Sequence, residues 1–100
     1  VRGGENISPG EIEDVIRELD GIEDVAVIAQ PDEAWGEVPV AAIVTVDGDE
    51  LDESTVQDHV RARLRSSRVP ARVVVLDVLP YNETGKLLRN VVRERLRDVA

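Results

Sequence analysis

Apolar residues recur along this chain with two different spacings, which predict helices alternating with strands. Ile12, Val15, Ile16 and Leu19 fall at helical intervals. They follow Ser8-Pro9-Gly10-Glu11, which supplies a Ser N-cap, Pro at the first helical position and Glu at the third, the sequence of a capping box. Ile7 is placed to staple against Ile12, and Asp20-Gly21 ends the helix. Two runs rich in Val and Ile, Asp24 to Ile28 and Val38 to Val46, then read as strands joined by a turn around Gln30 to Gly36. After the turn Asp47-Gly48-Asp49, Asp52 caps a second helix, with Ser54 as a competing cap and Leu51 and Val56 as a second staple. Val56, Val60 and Leu64 form its inward stripe, while Arg61, Arg63 and Arg65 lie mostly outward. A third strand is expected from Arg72 to Val78, and Leu88, Val91, Val92, Leu96 and Val99 mark a closing helix.

The expected order is therefore α-β-β-α-β-α, with a possible strand remnant at Val1-Arg2: an α+β fold in which a small three-stranded sheet is covered by about three helices. A chain of 100 residues is the size of one domain and buries roughly 60 to 70% of its unfolded surface. With one Trp, one Tyr and neither Phe nor Met, the core must be built from Val, Ile, Leu and Ala. The opening residues, Val1 to Asn6, read as the middle of a loop rather than as a translation start, so a fragment of a longer protein is expected.

Charge and composition narrow the classes of partner. A net charge of -9 repels phosphate backbones and anionic membranes, so nucleic acid is not an expected partner. The absence of cysteine excludes disulfides, a thiolate nucleophile and sulfur-ligated zinc, and is compatible with a reducing compartment. His59 is the one histidine, which excludes clustered-histidine metal sites. Apolar stretches are about strand length, well short of the roughly 20 residues that span a bilayer, so a soluble cytoplasmic protein without a transmembrane segment is expected.

Two stretches place glycine and polar residues where packing does not require them: Arg2-Gly3-Gly4-Glu5-Asn6 and Thr84-Gly85-Lys86. Both are loops leading into helices. Glycine permits positive φ or close approach to a ligand, and a lysine after it offers a mobile point charge suited to phosphate or carboxylate. Taken singly, each is more commonly an ordinary solvated turn.

Taken together with their flanks, Gly3-Gly4-Glu5-Asn6-Ile7-Ser8-Pro9-Gly10-Glu11-Ile12-Glu13 and Leu79-Pro80-Tyr81-Asn82-Glu83-Thr84-Gly85-Lys86-Leu87-Leu88-Arg89 resemble the domain-junction motif and the last motif of the adenylate-forming superfamily. That superfamily includes acyl- and aryl-CoA synthetases, luciferases and peptide-synthetase adenylation domains. Trp35-Gly36-Glu37 and Val69-Pro70 fall at the family's expected places, and the resemblance covers almost the whole chain. It implies that residues 1–100 are a C-terminal lid domain whose large N-terminal partner domain lies elsewhere in the protein.

The resemblance further implies a two-step reaction using ATP, Mg²⁺ and CoA, bound mostly by the large domain. A carboxylate attacks the α-phosphate of ATP to give an acyl adenylate and pyrophosphate, and a thiol then displaces AMP. Lys86 would be the catalytic residue of the first step, bridging two anions that otherwise repel each other, with Thr84 and Gly85 of its motif at the bound cofactor. After the lid rotates, Gly3 and Gly4 would line the pantetheine tunnel, flanked by Glu5 and Trp35. Gly-Gly-Glu-Asn-Ile is the form associated with CoA ligases, which favours CoA over a carrier-protein phosphopantetheine arm. A free-standing ligand-sensing or interaction module is the reading from a different class. Which acid is activated is not encoded here, because the acyl pocket would belong to the other domain.

The remaining polar residues have plainer readings. Trp35 could equally cover an aliphatic core. Glu11 is better explained by helix capping than by acid/base work. His59, with no partner visible in the sequence, reads as a boundary residue. Arg68 stands where relatives often have Lys after an aromatic, and Ser67 replaces that aromatic, which leaves its contact with nucleotide phosphate open.

Overall fold

A computed structural model describes residues 8–98 of the chain. Helix α1 (Pro9–Ile16) leads into strands β1 (Ile22–Asp32) and β2 (Gly36–Thr45), followed by α2 (Glu53–Arg63), β3 (Arg72–Val75) and α3 (Arg89–Asp98). This is the expected α-β-β-α-β-α order. The sheet runs β1-β2-β3, antiparallel between β1 and β2 and parallel between β2 and β3, with α2 in the crossover.

Because every strand residue points to the face opposite its neighbours, the Val and Ile runs split into two cores. Val25, Val27, Ala41 and Ile43 face α1 and α2, packing with Ile12, Ile16, Val56 and Val60. Ala26, Ile28, Val40, Ala42 and Val44 face the other way, onto Leu79 and onto Val92 and Leu96 of α3. A sheet covered on both sides has no polar face, which is why β2 is apolar without interruption from Val38 to Val44. Each Val or Ile so enclosed contributes about 1.5–3 kcal/mol of hydrophobic stabilisation.

The element boundaries depart from the sequence pattern in instructive ways. α1 stops at Ile16, and the tighter bond from Leu19 N to Ile16 O, 3.0 Å, lets Leu19 pack without extending the helix. Gly21, at φ 84°, then reverses the chain into β1. β1 continues to Asp32, because the register Ile28↔Val40 to Asp32↔Gly36 carries pairing past the apolar run into Gln30, Pro31 and Asp32. Pro31 is tolerated because β1 is an edge strand among the described residues. β3 ends at Val75, where Leu76 N bonds Ile43 O at 2.8 Å, and Val78, expected in the strand, is 61% exposed.

Ser8 and Asp52 stand at the expected N-cap positions, but neither caps its helix through its side chain. Ser8 O receives Ile12 N at 3.3 Å, but the Ser8 hydroxyl makes no cap bond, and the Glu11 carboxylate accepts from Arg68 Nε at 3.4 Å instead of closing a capping box. Asp52 precedes α2, its carbonyl accepting from Thr55 and Val56, and Ser54 lies inside the helix with its hydroxyl donating to the Asp52 carboxylate at 3.0 Å. The Ile7 staple, the Val1-Arg2 remnant and Val99 lie outside the described residues.

Candidate functional site

Lys86 sits in a hairpin-like loop whose shape comes from one side chain. Tyr81 and Leu87 form an antiparallel bridge, and Asn82 N donates to Lys86 O at 2.9 Å. Inside this ring the Asn82 carboxamide oxygen accepts from Thr84 N at 2.9 Å, Thr84 Oγ1 at 2.8 Å and Lys86 N at 2.9 Å. Asn is suited to this because its short side chain reaches backbone amides two to four residues on. Gly85 closes the turn at φ 85°, a left-handed conformation that disfavours an L side chain whatever the space, and its N–H bonds Asn82 O at 3.0 Å. The backbone under Lys86 is therefore fixed while its side chain is exposed. It borders a surface hollow shared with Asn82, Leu87, Arg89 and Asn90.

Both ends of this loop are tied to β1. On one side the Tyr81 hydroxyl donates to Asp24 Oδ2 at 2.5 Å, while Asp24 Oδ1 accepts from Val25 N at 2.9 Å. The strong bond to a carboxylate, with burial adding to it, pushes the Tyr81 hydroxyl up to about 12 from its ordinary 10.0. On the other side Arg89, the first residue of α3, donates from Nη1 to Val27 O at 2.8 Å and to Glu13 Oε2 at 3.2 Å. Glu13 is buried against β1 and accepts from Val27 N at 2.8 Å.

The other site residues read from the sequence fall elsewhere. Trp35 stands in the β1–β2 turn, 58% exposed, and so does not cover the core. Asp32 organises that turn, its Oδ1 accepting from Ala34 N at 2.8 Å and Trp35 N at 3.0 Å. Asp24 and Asp32 are roughly 26 Å apart along β1, so the Trp35 turn and the Lys86 loop occupy opposite ends of the sheet. α1 begins toward the Trp35 end, because Glu11 is joined to Arg68 and Ala71 N bonds Pro39 O at 2.8 Å near the start of β2. Gly3, Gly4 and Glu5 lie outside the described residues. Lys86, Thr84 and Gly85 are thus brought together, and Trp35 is kept apart from them.

The structure gives His59 the partners that the sequence left invisible. Its Nε2 lies 3.0 Å from both Val15 O and Glu18 Oε1, two acceptors, so Nε2 carries the hydrogen. Glu18 also pairs with Arg63 at 3.2 Å, and these contacts lock α1 to α2. Sequence reading assigned no role to Asn82, Glu13 or Arg89. A signal was available for two of them: Asn-x-Thr-Gly is Asx-turn chemistry, and Glu13 lies on the helix face of Ile12 and Ile16, where a carboxylate needs a partner. Among the described residues no group of three or more His, Asp or Glu is arranged to hold a metal ion, and no helix is long and apolar enough to cross a membrane.

Comparison with known proteins identifies the family. The family model described as AMP-binding enzyme C-terminal domain matches residues 11–86. Long-chain-fatty-acid–CoA ligase FadD13 of Mycobacterium tuberculosis is 43% identical over 95 residues, covering 95% of this chain and 19% of that protein. A 2-succinylbenzoate–CoA ligase of Listeria monocytogenes is also 43% identical, over 95% of this chain and 20% of its own length. The structure of ATP-bound MatB from Rhodopseudomonas palustris superimposes with a TM-score of 0.89 at 34% identity, over 99% of this chain and 20% of that one. The chain spans about a fifth of the length of the relatives it matches. With the helices and sheet in the expected order and the family model running from α1 to Lys86, the chain belongs to the AMP-binding enzyme C-terminal domain family.

Proposed function

We propose that this chain is the mobile C-terminal domain of an ATP-dependent, AMP-forming acyl- or aryl-CoA ligase, and that Lys86 serves the first of its two half-reactions. The observation that carries this reading is the Lys86 loop: an exposed ammonium on a backbone fixed by Asn82, with both flanks anchored to one strand. A carboxylate approaching the α-phosphate of ATP meets like charge, and bond formation concentrates more of it on the phosphoryl oxygens. One ammonium held between them stabilises that arrangement more than it stabilises the separated reactants. The carboxylate oxygen bonds to the α-phosphorus, pyrophosphate leaves, and the product is an acyl adenylate. In the second step a thiol attacks the acyl carbon and AMP departs.

Several features support CoA as the thiol donor and two working surfaces on this domain. The relatives FadD13 and the Listeria enzyme are both named CoA ligases, and MatB was solved with ATP bound. The Trp35 turn and the start of α1 share the end of the sheet away from Lys86, which suits a second pose in which Gly3, Gly4, Glu5 and Trp35 border the pantetheine arm. Thr84 and Gly85 would lie beside the nucleotide in the first pose. The Mg²⁺ that accompanies ATP, like the acyl pocket, is assigned to the large N-terminal domain. A cytoplasmic setting, where ATP and CoA are both present, fits this chemistry.

The full-length enzyme tests the reading. Carboxylic acids are screened for acid-dependent ATP–pyrophosphate exchange, and CoA or a phosphopantetheine-loaded carrier protein is then supplied to the responders. Lys86→Ala is expected to slow adenylation by about 10²- to 10³-fold while sparing thioester formation from supplied acyl adenylate. Equal loss in both half-reactions would overturn the role given to Lys86.

A further inference from the structure

Among the described residues β1 is an edge strand, so the N–H and C=O on its open side need partners from outside the sheet. At Val27 both groups are taken by one ion pair. Glu13 Oε2 accepts from Val27 N at 2.8 Å, Arg89 Nη1 donates to Val27 O at 2.8 Å, and the same two side-chain atoms stand 3.2 Å apart. Together they reproduce what a residue of a fourth strand would offer: an acceptor for the amide and a donor for the carbonyl. The carboxylate side is enclosed, with the Glu13 side chain 8% exposed, while the Arg89 side chain is 43% exposed.

The clamp joins three places that the chain order separates. Glu13 belongs to α1, the helix that follows the Gly3-Gly4 segment, Val27 belongs to β1, and Arg89 opens α3 three residues after Lys86. The Lys86 loop has one flank tied to β1 through Tyr81 and Asp24, and Arg89 supplies the other tie. Besides Arg89, the hydrogen bonds of the far flank are those of Leu88 N to Pro80 O, 2.9 Å, and of Val91 and Val92 N to Leu88 O, which join the loop to itself and to α3. Without Arg89 its hold on β1 would be the non-directional packing of Leu87, Val92 and Leu96 on the core.

We propose that Glu13 and Arg89 are positioning residues for Lys86, a side-chain clamp on the β1 edge that sets where the lysine loop stands relative to the α1 side of the domain. This rests on the role given to Lys86 above. Neither residue touches substrate in this proposal. A planar guanidinium satisfies a carbonyl and a carboxylate at once, which an ammonium on a flexible stem does less well, so Arg89→Lys keeps the charge and loosens the geometry. Displacement of a reacting group by about 1 Å costs on the order of 10²-fold in rate, so a slackened loop should weaken the step that needs Lys86 and leave the other largely intact.

The test uses the full-length enzyme, MgATP and an acid active in the exchange screen, with thioester formation measured from supplied acyl adenylate. Arg89→Ala and Glu13→Gln are expected to lower kcat for adenylation by about 10- to 100-fold, with KM for ATP and the thioester rate within about twofold of the unmodified enzyme. Arg89→Lys should recover part of the lost kcat. The pair Glu13→Gln with Arg89→Lys should lose little more than the worse single variant, because both open the same clamp. Circular dichroism establishes that each variant is folded; if Arg89→Ala does not fold, Arg89→Lys and Glu13→Gln decide. Parallel loss of both half-reactions, or undiminished adenylation in the folded variants, would overturn the proposal. Lys86→Ala, run beside them, separates the two ideas. If it adenylates normally, the role of Lys86 falls and the clamp with it; if it is crippled while the clamp variants are not, only the clamp falls.

Discussion

Tyr81 is the one tyrosine in the chain, so tyrosinate absorbance of the isolated domain follows this group alone. Its hydroxyl donates to Asp24, and ionising it would set two negative oxygens side by side, which is why its pKa rises to about 12. The folded state therefore holds this proton more tightly than the unfolded chain does. The resulting stabilisation is fully present below pH 10, declines as pH rises from about 10, and is gone above about 12. Asp24→Asn should bring the absorbance midpoint back toward 10; a midpoint unchanged by that substitution would show that the Asp24 contact does not set it. The glycine turn and the exposed cation of this loop were legible in sequence, since Thr84-Gly85-Lys86 names both outright. Asn82, Glu13 and Arg89 were less so, for a physical reason. A hydrogen bond from Arg89 to Glu13 spans 76 positions, and no local spacing encodes which carboxylate a guanidinium will meet.

The helices and strands were legible where one periodicity served one buried face, as in α1 and in the apolar stretch of β2. They were less so where tertiary pairing overrode composition. Gln30-Pro31-Asp32 has no strand character of its own, yet the hairpin register extends β1 through it. β3 fails in the opposite sense: its pairing ends at Ile43↔Val75 although β2 runs on to Thr45, and Asp77 and Val78, expected in the strand, are exposed beyond it. Ile43 shows what a centre strand enclosed on both sides demands. It is fully buried, pairs Val25 on one edge and Val75 on the other, and sits under α1 and α2. Ile43→Ala should lower the unfolding free energy of the isolated domain by about 2–5 kcal/mol, read from the urea midpoint at constant slope. A change below about 1 kcal/mol would mean that the layer can collapse around the deletion.

The isolated chain should be able to fold without the domain it is proposed to serve. Its radius of gyration, 12.9 Å, matches the roughly 13 Å expected of an independent 100-residue domain, and the described residues bury an apolar core on each face of the sheet. We expect a single cooperative unfolding transition for the isolated chain, together with no acid-dependent ATP–pyrophosphate exchange. Exchange by the isolated chain would place the ATP pocket within these residues and overturn the division of labour proposed above. Along β1, the anchor at Asp24 and the turn at Asp32 stand roughly 26 Å apart on a strand packed on both faces, which makes the domain a stiff lever. Over such an arm a tilt of about 2° at one end moves the other by about 1 Å, the displacement at which a reacting group loses most of its effect. In the rotation that the proposed function requires, angular tolerance should accordingly be narrow, and a substitution at the pivot should impair the proposed chemistry without touching any residue that meets a substrate.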